Sequence, residues 1–511
     1  MTATPAAEQP PVLASAGPRD PRRWLILGVI CLAQLVVILD NTILNVAVPT
    51  LTDDLGATTA DIQWIINAYV LVQAGLLLTA GAAADRYGRK RLLLAGLAVF
   101  GAGSLAAGLA QSASQLTAAR AGMGIGGALL LTTTLAVAMQ VFDEDERVRA
   151  IGIWAAVNAL GFAAGPLVGG VLLDHFWWGA LFLVNLPVVV LGLAAVAVLV
   201  PESKAGRSHR PDLLGALLST VSMTALVYAV VAGPDHGWSS PHVLAGVGLG
   251  GFALAAFVGW ERRFPHPMLD MSFFRDRTFS GAVFGALLIT FGSGGALFLL
   301  TQQLQLVLGY GPLEAGLRTA PFALTVVLLN FTGLSARFGT RLGIPGSVAL
   351  GMTLLACGLA AVALAGHVVD GYGGLLAGLV LMGVGCALAN PAMAVAVLSA
   401  IPREKAGAGA GIEGTVTEFG SGLGVAVLGA VLSARFSALA PVAAASLPAA
   451  LAAADSAAER RTVTRAFGSA LETGQLVGAA AVLTGGLVAA GLLRRAERGR
   501  ATAPAALTDP A

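Results

Sequence analysis

Long apolar runs separated by short polar segments repeat along the whole chain, and none of them alternates between apolar and polar residues. A helix needs about 20 apolar residues to cross the hydrocarbon core of a bilayer. Inside lipid only helices and closed barrels satisfy their backbone polar groups, and a barrel would need the alternation that is missing here. The pattern therefore predicts an all-α integral membrane protein with 14 transmembrane helices, numbered below as spans 1 to 14. The runs cover residues 24–49, 63–83, 92–110, 115–140, 150–173, 177–200, 211–231, 242–260, 280–306, 314–335, 344–366, 374–399, 406–433 and 474–493.

The composition agrees with lipid as the solvent for most of the chain. Hydrophobic residues make up 56% of the 511 residues and charged residues only 11%, whereas a soluble domain has about 25% charged residues. The mean hydropathy is +0.81. This composition excludes a soluble globular protein, so we expect the lipid bilayer as a partner and no nucleic acid.

The distribution of lysine and arginine predicts the orientation. If the N-terminus is cytoplasmic, 24 of the 30 basic residues fall in inside segments and four in a single outside loop. Arg120 and Arg318 lie within spans. Because cytoplasmic loops collect positive charge, the pattern favours two cytoplasmic termini and an even number of spans.

The polar segment between spans 2 and 3 carries an ordered set of charges. After Gly81 it reads Asp85-Arg86-Tyr87-Gly88-Arg89-Lys90-Arg91. This resembles the cytoplasmic loop signature of the major facilitator superfamily, GxLADRxGRKxxL, with Ala83 in place of the leucine. The resemblance implies a secondary transporter whose loop clamps its two halves together on the cytoplasmic side. The implied gate residues are Gly81, Asp85, Arg86, Gly88, Arg89 and Lys90.

A weaker copy of this loop follows span 10. Residues 335–341 read SARFGTR, with Ala336 where the first copy has Asp85. Transporters of this kind are built from repeats, so the two copies predict six helices, a two-helix insert and six more helices. The predicted regions are a cytoplasmic tail over 1–23, an N-terminal bundle over 24–200, an insert with linkers over 201–279, a C-terminal bundle over 280–493 and a cytoplasmic tail over 494–511. Within the C-terminal bundle, 434–473 is expected to be a long external loop carrying a surface helix.

Span 1 contains a carboxylate inside its apolar run. An acidic residue at the centre of a membrane helix costs roughly 2.5–3.5 kcal/mol, so Asp40 either faces a cavity or forms structural hydrogen bonds. Gln34, Asn41 and Asn45 fall on one stripe of the helix, and Asp40 is about 100° to its side. We expect these three residues to line the substrate cavity, together with Asn330 of span 10.

Arg120 of span 4 is expected to lie at the depth of Asp40. Asp40 is about 12 Å from the outer end of its span and Arg120 about 8 Å from the outer end of its own. The two can form a charge pair, or Arg120 can snorkel to the lipid interface. The sequence around Asp40 resembles the helix 1 motif of the 14-helix drug:proton antiporter family. That around Arg120 resembles the family's helix 4 motif, whose arginine is implied in proton transfer.

Span 5 carries a glycine string. Gly161, Gly165 and Gly169 recur every four residues and form a smooth face for close helix contact, and Pro166 adds a bend point. Continued through Gly170, the string GxxxGPxxGG resembles the signature of antiporter members of the superfamily. The resemblance implies export rather than uptake.

Span 13 holds two carboxylates, Glu413 and Glu418. They are about 140° apart around the helix, so they do not share one face, and we expect at least one to face the central cavity. Burial favours the protonated form of a carboxyl group, which allows it to take up and release a proton. The two glutamates resemble those of exporters of cationic drugs. Proton coupling is therefore assigned to Asp40, Arg120, Glu413 and Glu418, with a structural role for the glutamate pair as the alternative.

The sequence offers no other chemistry. No histidine pair has metal-ligand spacing, and no phosphate-binding loop of the ATPase type occurs. Cys31, Cys357 and Cys386 lie within apolar runs, which argues against a disulfide framework. The resemblance to the drug:proton antiporter family implies a monomeric, proton-driven exporter of amphipathic, cationic drugs in a bacterial cytoplasmic membrane, and we expect no enzyme activity, metal or cofactor. Two alternatives are a dedicated exporter of one endogenous metabolite or lipid, and a non-transporting membrane sensor.

Overall fold

Every regular element that the structure describes is helical. The computed structural model describes residues 21–502 except 45–46, 56–58, 204–211, 266, 268, 366–371, 403–404, 440–449, 452–453 and 455. The helices are α1 (Arg23–Ile43), α2 (Val48–Leu55), α3 (Thr59–Tyr87), α4 (Arg89–Gly108), α5 (Ala113–Val141), α6 (Glu144–His175), α7 (Ala180–Leu183), α8 (Asn185–Leu199), α9 (Leu213–His236), α10 (Pro241–Glu261), α11 (Arg277–Gln302), α12 (Pro312–Phe331), α13 (Leu334–Ala365), α14 (Tyr372–Ser399), α15 (Ala406–Leu439) and α16 (Ala457–Thr502).

Twelve helical segments in the described part of the chain are long and apolar enough to cross a membrane. They correspond to predicted spans 1–4, 6–9 and 11–14. Predicted spans 5 and 10 correspond to α6 and α12, of 32 and 20 residues. The protein is therefore a multi-pass, all-helical membrane protein.

Polar caps fix several of the helix starts. Ser112 accepts a hydrogen bond from the backbone N–H of Gln115 at the start of α5. Ser240, followed by Pro241, does the same for Val243 at the start of α10. Asp276 accepts 2.7 Å from the N–H of Thr278 and begins α11. Each cap satisfies one of the N–H groups that a helix start leaves unpaired, so the polar segments of the sequence mark the helix ends.

Predicted span 1 is divided. Helix α1 ends at Ile43 and α2 begins at Val48, so residues 24–49 do not form one helix. Pro49 lies in the first turn of α2, where the missing N–H of proline costs no helical hydrogen bond. Thus the apolar run extends beyond the helix that it was expected to form.

The range 434–473, where a long external loop with a surface helix is expected, contains more helix than the expectation allows. Helix α15 continues to Leu439, and α16 begins at Ala457 and runs as one helix to Thr502, into the range expected to be a tail. Ser456 accepts a hydrogen bond from the N–H of Glu459 and caps α16. Val463, Phe467 and Leu471 recur on one face and are buried with Phe436 of α15. This apolar face explains why the expected surface helix packs against α15 and continues into the rest of α16.

Buried side chains form two large cores. One consists mainly of residues from Ile26 to Val200, on α1–α8, with four from Ala394 to Ala410. The other consists mainly of residues from Phe257 to Leu493, on α10–α16. Helix α9 packs against α3, α10 and α15, so it lies beside both cores.

Candidate functional site

Two opposite charges lie inside the helix bundle. The Nη1 of Arg120 on α5 donates a hydrogen bond to Oδ2 of Asp40 on α1, and both side chains are 0% exposed. The residues expected to lie at similar depth are therefore brought together. Arg120 does not snorkel to a lipid interface, since its guanidinium is enclosed by protein.

Further polar groups complete the surroundings of this pair. The Nδ2 of Asn185 on α8 donates hydrogen bonds of 3.1 Å to Oδ1 of Asp40 and of 2.9 Å to Oγ of Ser104 on α4. On the other side, Nε of Arg120 donates 3.3 Å to the carbonyl of Ile65. The guanidinium also lies 4.3 Å from the ring centroid of Tyr69.

Sequence reasoning missed Asn185, Ser104 and Tyr69. All three are buried. The signal that could have found Asn185 is its place as a single amide at the head of an otherwise apolar helix. Ser104 and Tyr69 have no such signal, because serine and tyrosine are ordinary in membrane helices.

The polar stripe expected on span 1 does not form one cavity wall. Gln34 is fully buried between α1, α5 and α6. Its Nε2 donates a hydrogen bond of 2.9 Å to Oδ1 of Asn158, and its Oε1 accepts one of 3.2 Å from the hydroxyl of Thr134. Asn41 is half-buried. Gln34 is thus placed in a helix contact and Asn41 has a partly open position, whereas Asn45 lies outside the described residues.

Asn330 lies at the contact between α12 and α6. Its Nδ2 donates 3.0 Å to the carbonyl of Val326, and its Oδ1 accepts 2.6 Å from the hydroxyl of Ser335. A Cβ added to Gly152 of α6 would stand 2.7 Å from the same Oδ1. The amide is thus held in a tight helix contact, away from Asp40 and Arg120.

The two glutamates of α15 have different surroundings. The carboxylate of Glu413 accepts 3.3 Å from the hydroxyl of Thr417 on its own helix. Glu418 lines a cavity of about 160 Å³ together with Val70 of α3 and Val227 of α9. Glu418 therefore borders a cavity that it shares with helix α9, a neighbour that the sequence did not indicate.

The charged C-terminal end of α3 contacts the start of α15. Oδ1 of Asp85 accepts a hydrogen bond of 2.7 Å from the N–H of Gly407, and Oδ2 accepts one of 2.9 Å from the N–H of Ala408. These are among the unpaired N–H groups of a helix start, where a negative charge is also favoured by the helix dipole. Arg89 forms an ion pair of 2.8 Å with Oδ1 of Asp85 and donates 2.7 Å to Oε1 of Gln140.

Glycine allows the backbones to meet at this point. A Cβ on Gly81 would stand 2.8 Å from the carbonyl carbon of Gly407 and 3.3 Å from Cα of Gly411. Gly88 has φ +108°, which an L side chain rarely adopts. The Nζ of Lys90, at the start of α4, donates a hydrogen bond of 2.7 Å to the carbonyl of Ala197, so α4 also contacts the end of α8. The guanidinium of Arg86 lies 5.3 Å from the ring centroid of Tyr87.

Comparison with known families agrees with these features. The sequence profile of the Major Facilitator Superfamily matches residues 30–425. The chain belongs to this superfamily. Members of the major facilitator superfamily are carriers rather than enzymes.

Relatives within the superfamily are resistance proteins. The chain is 37% identical to the multidrug resistance protein Stp of Mycobacterium tuberculosis, over 80% of this chain and 75% of Stp. It is 38% identical to the methyl viologen resistance protein SmvA of Salmonella typhimurium, over 82% of this chain and 84% of SmvA. Its relatives are thus multidrug and antibiotic resistance exporters of the major facilitator superfamily.

A solved structure supports the same fold. The human organic anion transporter MFSD10 (TETRAN) matches with a TM-score of 0.62 at 15% sequence identity, over 93% of this chain and 100% of that one. At this identity the likeness supports the major facilitator fold alone.

The glycine string of this major facilitator protein packs α6 against α1. A Cβ on Gly161 would stand 2.9 Å from Cγ2 of Ile38, and one on Gly165 would stand 2.8 Å from Cβ of Thr42 and 3.1 Å from the backbone N of Ile43. A Cβ on Gly170 would meet nothing within 4 Å. Gly169 is buried in the same helix, whereas the side chain of Pro166 lies outside the described set.

The second copy of the loop signature is not a structural copy of the first. Gly339, which aligns with Gly88, lies within helix α13, and the helix is broken four residues later at Gly343, where φ is +66°. With Ala336 in place of the aspartate, this copy has no carboxylate to bind a helix start. The segments at 85–91 and 336–341 are therefore similar in sequence but differ in backbone conformation.

Proposed function

We propose that the protein exports amphipathic, cationic drugs or antibiotics across a bacterial cytoplasmic membrane in exchange for protons, by alternating access. The observation that carries the proposal is the buried ion pair of Asp40 and Arg120, in a chain whose relatives are resistance exporters. A pair of buried charges is costly to bring into a membrane protein unless the geometry compensates it. Such pairs are found mostly where ions or substrates move.

The surroundings of Asp40 suit a proton carrier. Protonation of its carboxylate removes the charge that holds Arg120 to α1. The guanidinium then keeps the carbonyl of Ile65 and the face of the Tyr69 ring as neighbours. Since Asp40 and Arg120 lie on different helices, uptake of one proton changes the attraction between α1 and α5.

The substrate class is proposed from the relatives and the charges. Methyl viologen, which SmvA is named for, is an aromatic dication. Glu413 and Glu418 supply carboxylates within helix α15, where a cation can compensate the cost of burying a negative charge. Coupling residues are thus Asp40, Arg120, Glu413 and Glu418.

The proposed topology has 14 transmembrane helices. Helices α6 and α12 join the 12 candidate spans because both are long enough to cross the hydrocarbon core. The excess of basic residues in alternate loops supports cytoplasmic termini. The two cores support two bundles over 24–200 and 280–493 with α9 and α10 as the insert. In this orientation the contact of Asp85 with α15 closes the cytoplasmic side.

Everted membrane vesicles test the proposal directly. With an acidic lumen built by respiration, addition of methyl viologen or ethidium should release protons in vesicles that contain the protein and leave control vesicles unchanged. Asp40→Asn should abolish the response. Accumulation of the drug without any dependence on the proton gradient would refute proton coupling.

A wider panel separates the alternatives. Proton release by several unrelated cations supports multidrug export. A response to one compound alone supports a dedicated exporter. Binding without movement of any compound would indicate a membrane sensor.

A further inference from the structure

The cavity beside Glu418 lies outside the contact between α1 and α5. Its wall is formed by residues of three helices: Val70 of α3, Val227 and Val230 of α9, and Glu418, Phe419, Ser421 and Gly422 of α15. Helix α9 belongs to the two-helix insert, for which the proposed export mechanism has no use so far. The cavity is therefore lined both by a carboxylate and by a helix to which the export mechanism assigns no role.

Helix α9 is fastened to α3 on one side of this cavity. The hydroxyls of Thr79 and Thr220 are 3.2 Å apart, and a Cβ on Gly75 would stand 3.4 Å from Cβ of Thr224. Leu71, Ala74 and Val227 form a small buried cluster next to it. Helices α3 and α9 are closely packed at residues 216–224 of α9, whereas Val227 and Val230 of α9 line the cavity. The cavity is therefore a gap in an otherwise tight contact between the two helices.

Glu418 has no hydrogen-bond or ion-pair partner among the residues that the structure describes. Tyr69 of α3 and Glu413 of the same helix lie within electrostatic reach of Glu418, and neither carries a positive charge. Arg120 is already bound to Asp40. A positive charge for Glu418 must therefore come from a ligand or a proton.

The depth of the cavity strengthens this conclusion. Glu418 is 12 residues from the start of α15 and Val227 is 14 residues from the start of α9, which places both about 18–21 Å along their helices. The hydrocarbon core is about 30 Å thick, so the carboxylate lies well inside it. A carboxylate at that depth is expensive to retain without a function.

The volume of the cavity limits the size of the group that can bind in it. An engineered apolar cavity of about 150 Å³ holds one benzene molecule, and this one measures about 160 Å³. It can take one aromatic ring or a quaternary ammonium head, with the rest of the molecule outside. Phe419 adds an aromatic ring, which attracts such a cation.

We propose that the cavity between α3, α9 and α15 is a binding site for the head of an amphipathic quaternary ammonium cation. Glu418 supplies the charge, and Val227 and Val230 of the insert helix form the apolar wall. The insert thus takes part in substrate recognition. The inference rests on the proposed export function for its biological role, but it is a statement about binding and is tested as such.

Calorimetric titration of the purified full-length protein with benzyltrimethylammonium tests the site. The neutral carbon isostere, neopentylbenzene, measures the contribution of the charge. We expect the wild type to bind the cation at least 10-fold more tightly than the isostere. Glu418→Gln, which keeps the shape of the side chain, should lose that preference, and Val227→Trp, which fills the cavity, should lose binding of both compounds.

Leu217→Trp is the matched control. Leu217 lies on the same helix, is 59% exposed and does not line the cavity, so binding should stay within twofold. Equal binding by the wild type, Glu418→Gln and Val227→Trp would overturn the inference, as would absence of binding by the wild type. If Val227→Trp does not fold, Glu418→Gln and Val227→Leu decide the question.

Vesicle transport separates this inference from the proposed function. Export of methyl viologen by a wild type that does not bind benzyltrimethylammonium would leave the export function standing and remove the site. Binding that depends on Glu418, without export of any compound, would leave the site standing and remove the function.

Discussion

Asp85 and Gly407, 322 residues apart, are joined by a hydrogen bond of 2.7 Å from the backbone N–H of the glycine to Oδ1 of the aspartate. Because Oδ2 binds the next N–H of α15 at 2.9 Å, the carboxylate closes one end of the contact between α3 and α15. In the proposed orientation this end is cytoplasmic. The bond exists only while the two helices are together, so in the proposed alternating-access cycle it stabilises one of the two conformations.

Asp85→Asn should therefore slow turnover and leave substrate affinity nearly intact. The amide has one acceptor oxygen, so one N–H of α15 loses a charge-assisted bond worth about 1.5–3 kcal/mol. Rates of export and equilibrium binding of methyl viologen, measured on the same preparation, check this. Arg91→Ala is the matched control, since Arg91 is exposed and lies 3.6 Å from Glu202. A loss of affinity as large as the loss of transport would contradict the gate role.

Replacing Asp40 should destabilise the protein as well as stop coupling. Asp40→Asn leaves Arg120 buried without its anion, and breaking a buried pair costs about 3–5 kcal/mol. The double variant Asp40→Asn/Arg120→Gln should recover most of the thermal stability in detergent but no proton-driven export. Recovery of export by the double variant would show that the pair is structural only.

Gly165→Ala should disturb the contact between α6 and α1. Its new methyl group would press on Thr42 and Ile43, and overpacking of this kind costs about 1–3 kcal/mol. Gly165→Leu should in addition block transport. Gly170→Ala, with open space at its Cβ position, serves as the control in both thermal unfolding and transport assays. Normal export by Gly165→Leu would exclude this face as a required contact.

Glu413→Gln and Glu418→Gln should separate cation recognition from proton coupling. We expect Glu418→Gln to reduce export of methyl viologen at least 10-fold and to spare a neutral substrate, because its carboxylate lines the apolar cavity. Asp40→Asn should abolish proton-driven export of both substrates. The measurement is uptake of each substrate by everted vesicles with and without a proton gradient. Full proton-driven export by all three variants would remove the mechanism.

Several features of this site were predictable from local sequence. The interrupted apolar runs formed helices at the expected places, and polar residues such as Ser240 and Asp276 cap helix starts, because helix formation and capping depend on neighbours within a few residues. The pairing of Asp40 with Arg120 was also predictable, since depth in a membrane follows from position along a helix. A surface helix within 434–473 was expected, but the burial of Val463, Phe467 and Leu471 against α15 was not.

The sequence by itself determined the membrane-helical class, the superfamily and the charged signature at 85–91, because each depends on residues that are contiguous in the chain. Only the tertiary structure decided that Asn185 completes the surroundings of Asp40, that Gln34 is enclosed between helices and that Glu418 borders a cavity that it shares with α9. Which face of a helix meets which neighbour depends on packing between segments more than 100 residues apart. In a bundle where nearly every face is apolar, the hydrophobic pattern does not distinguish lipid from protein, so those contacts require the fold.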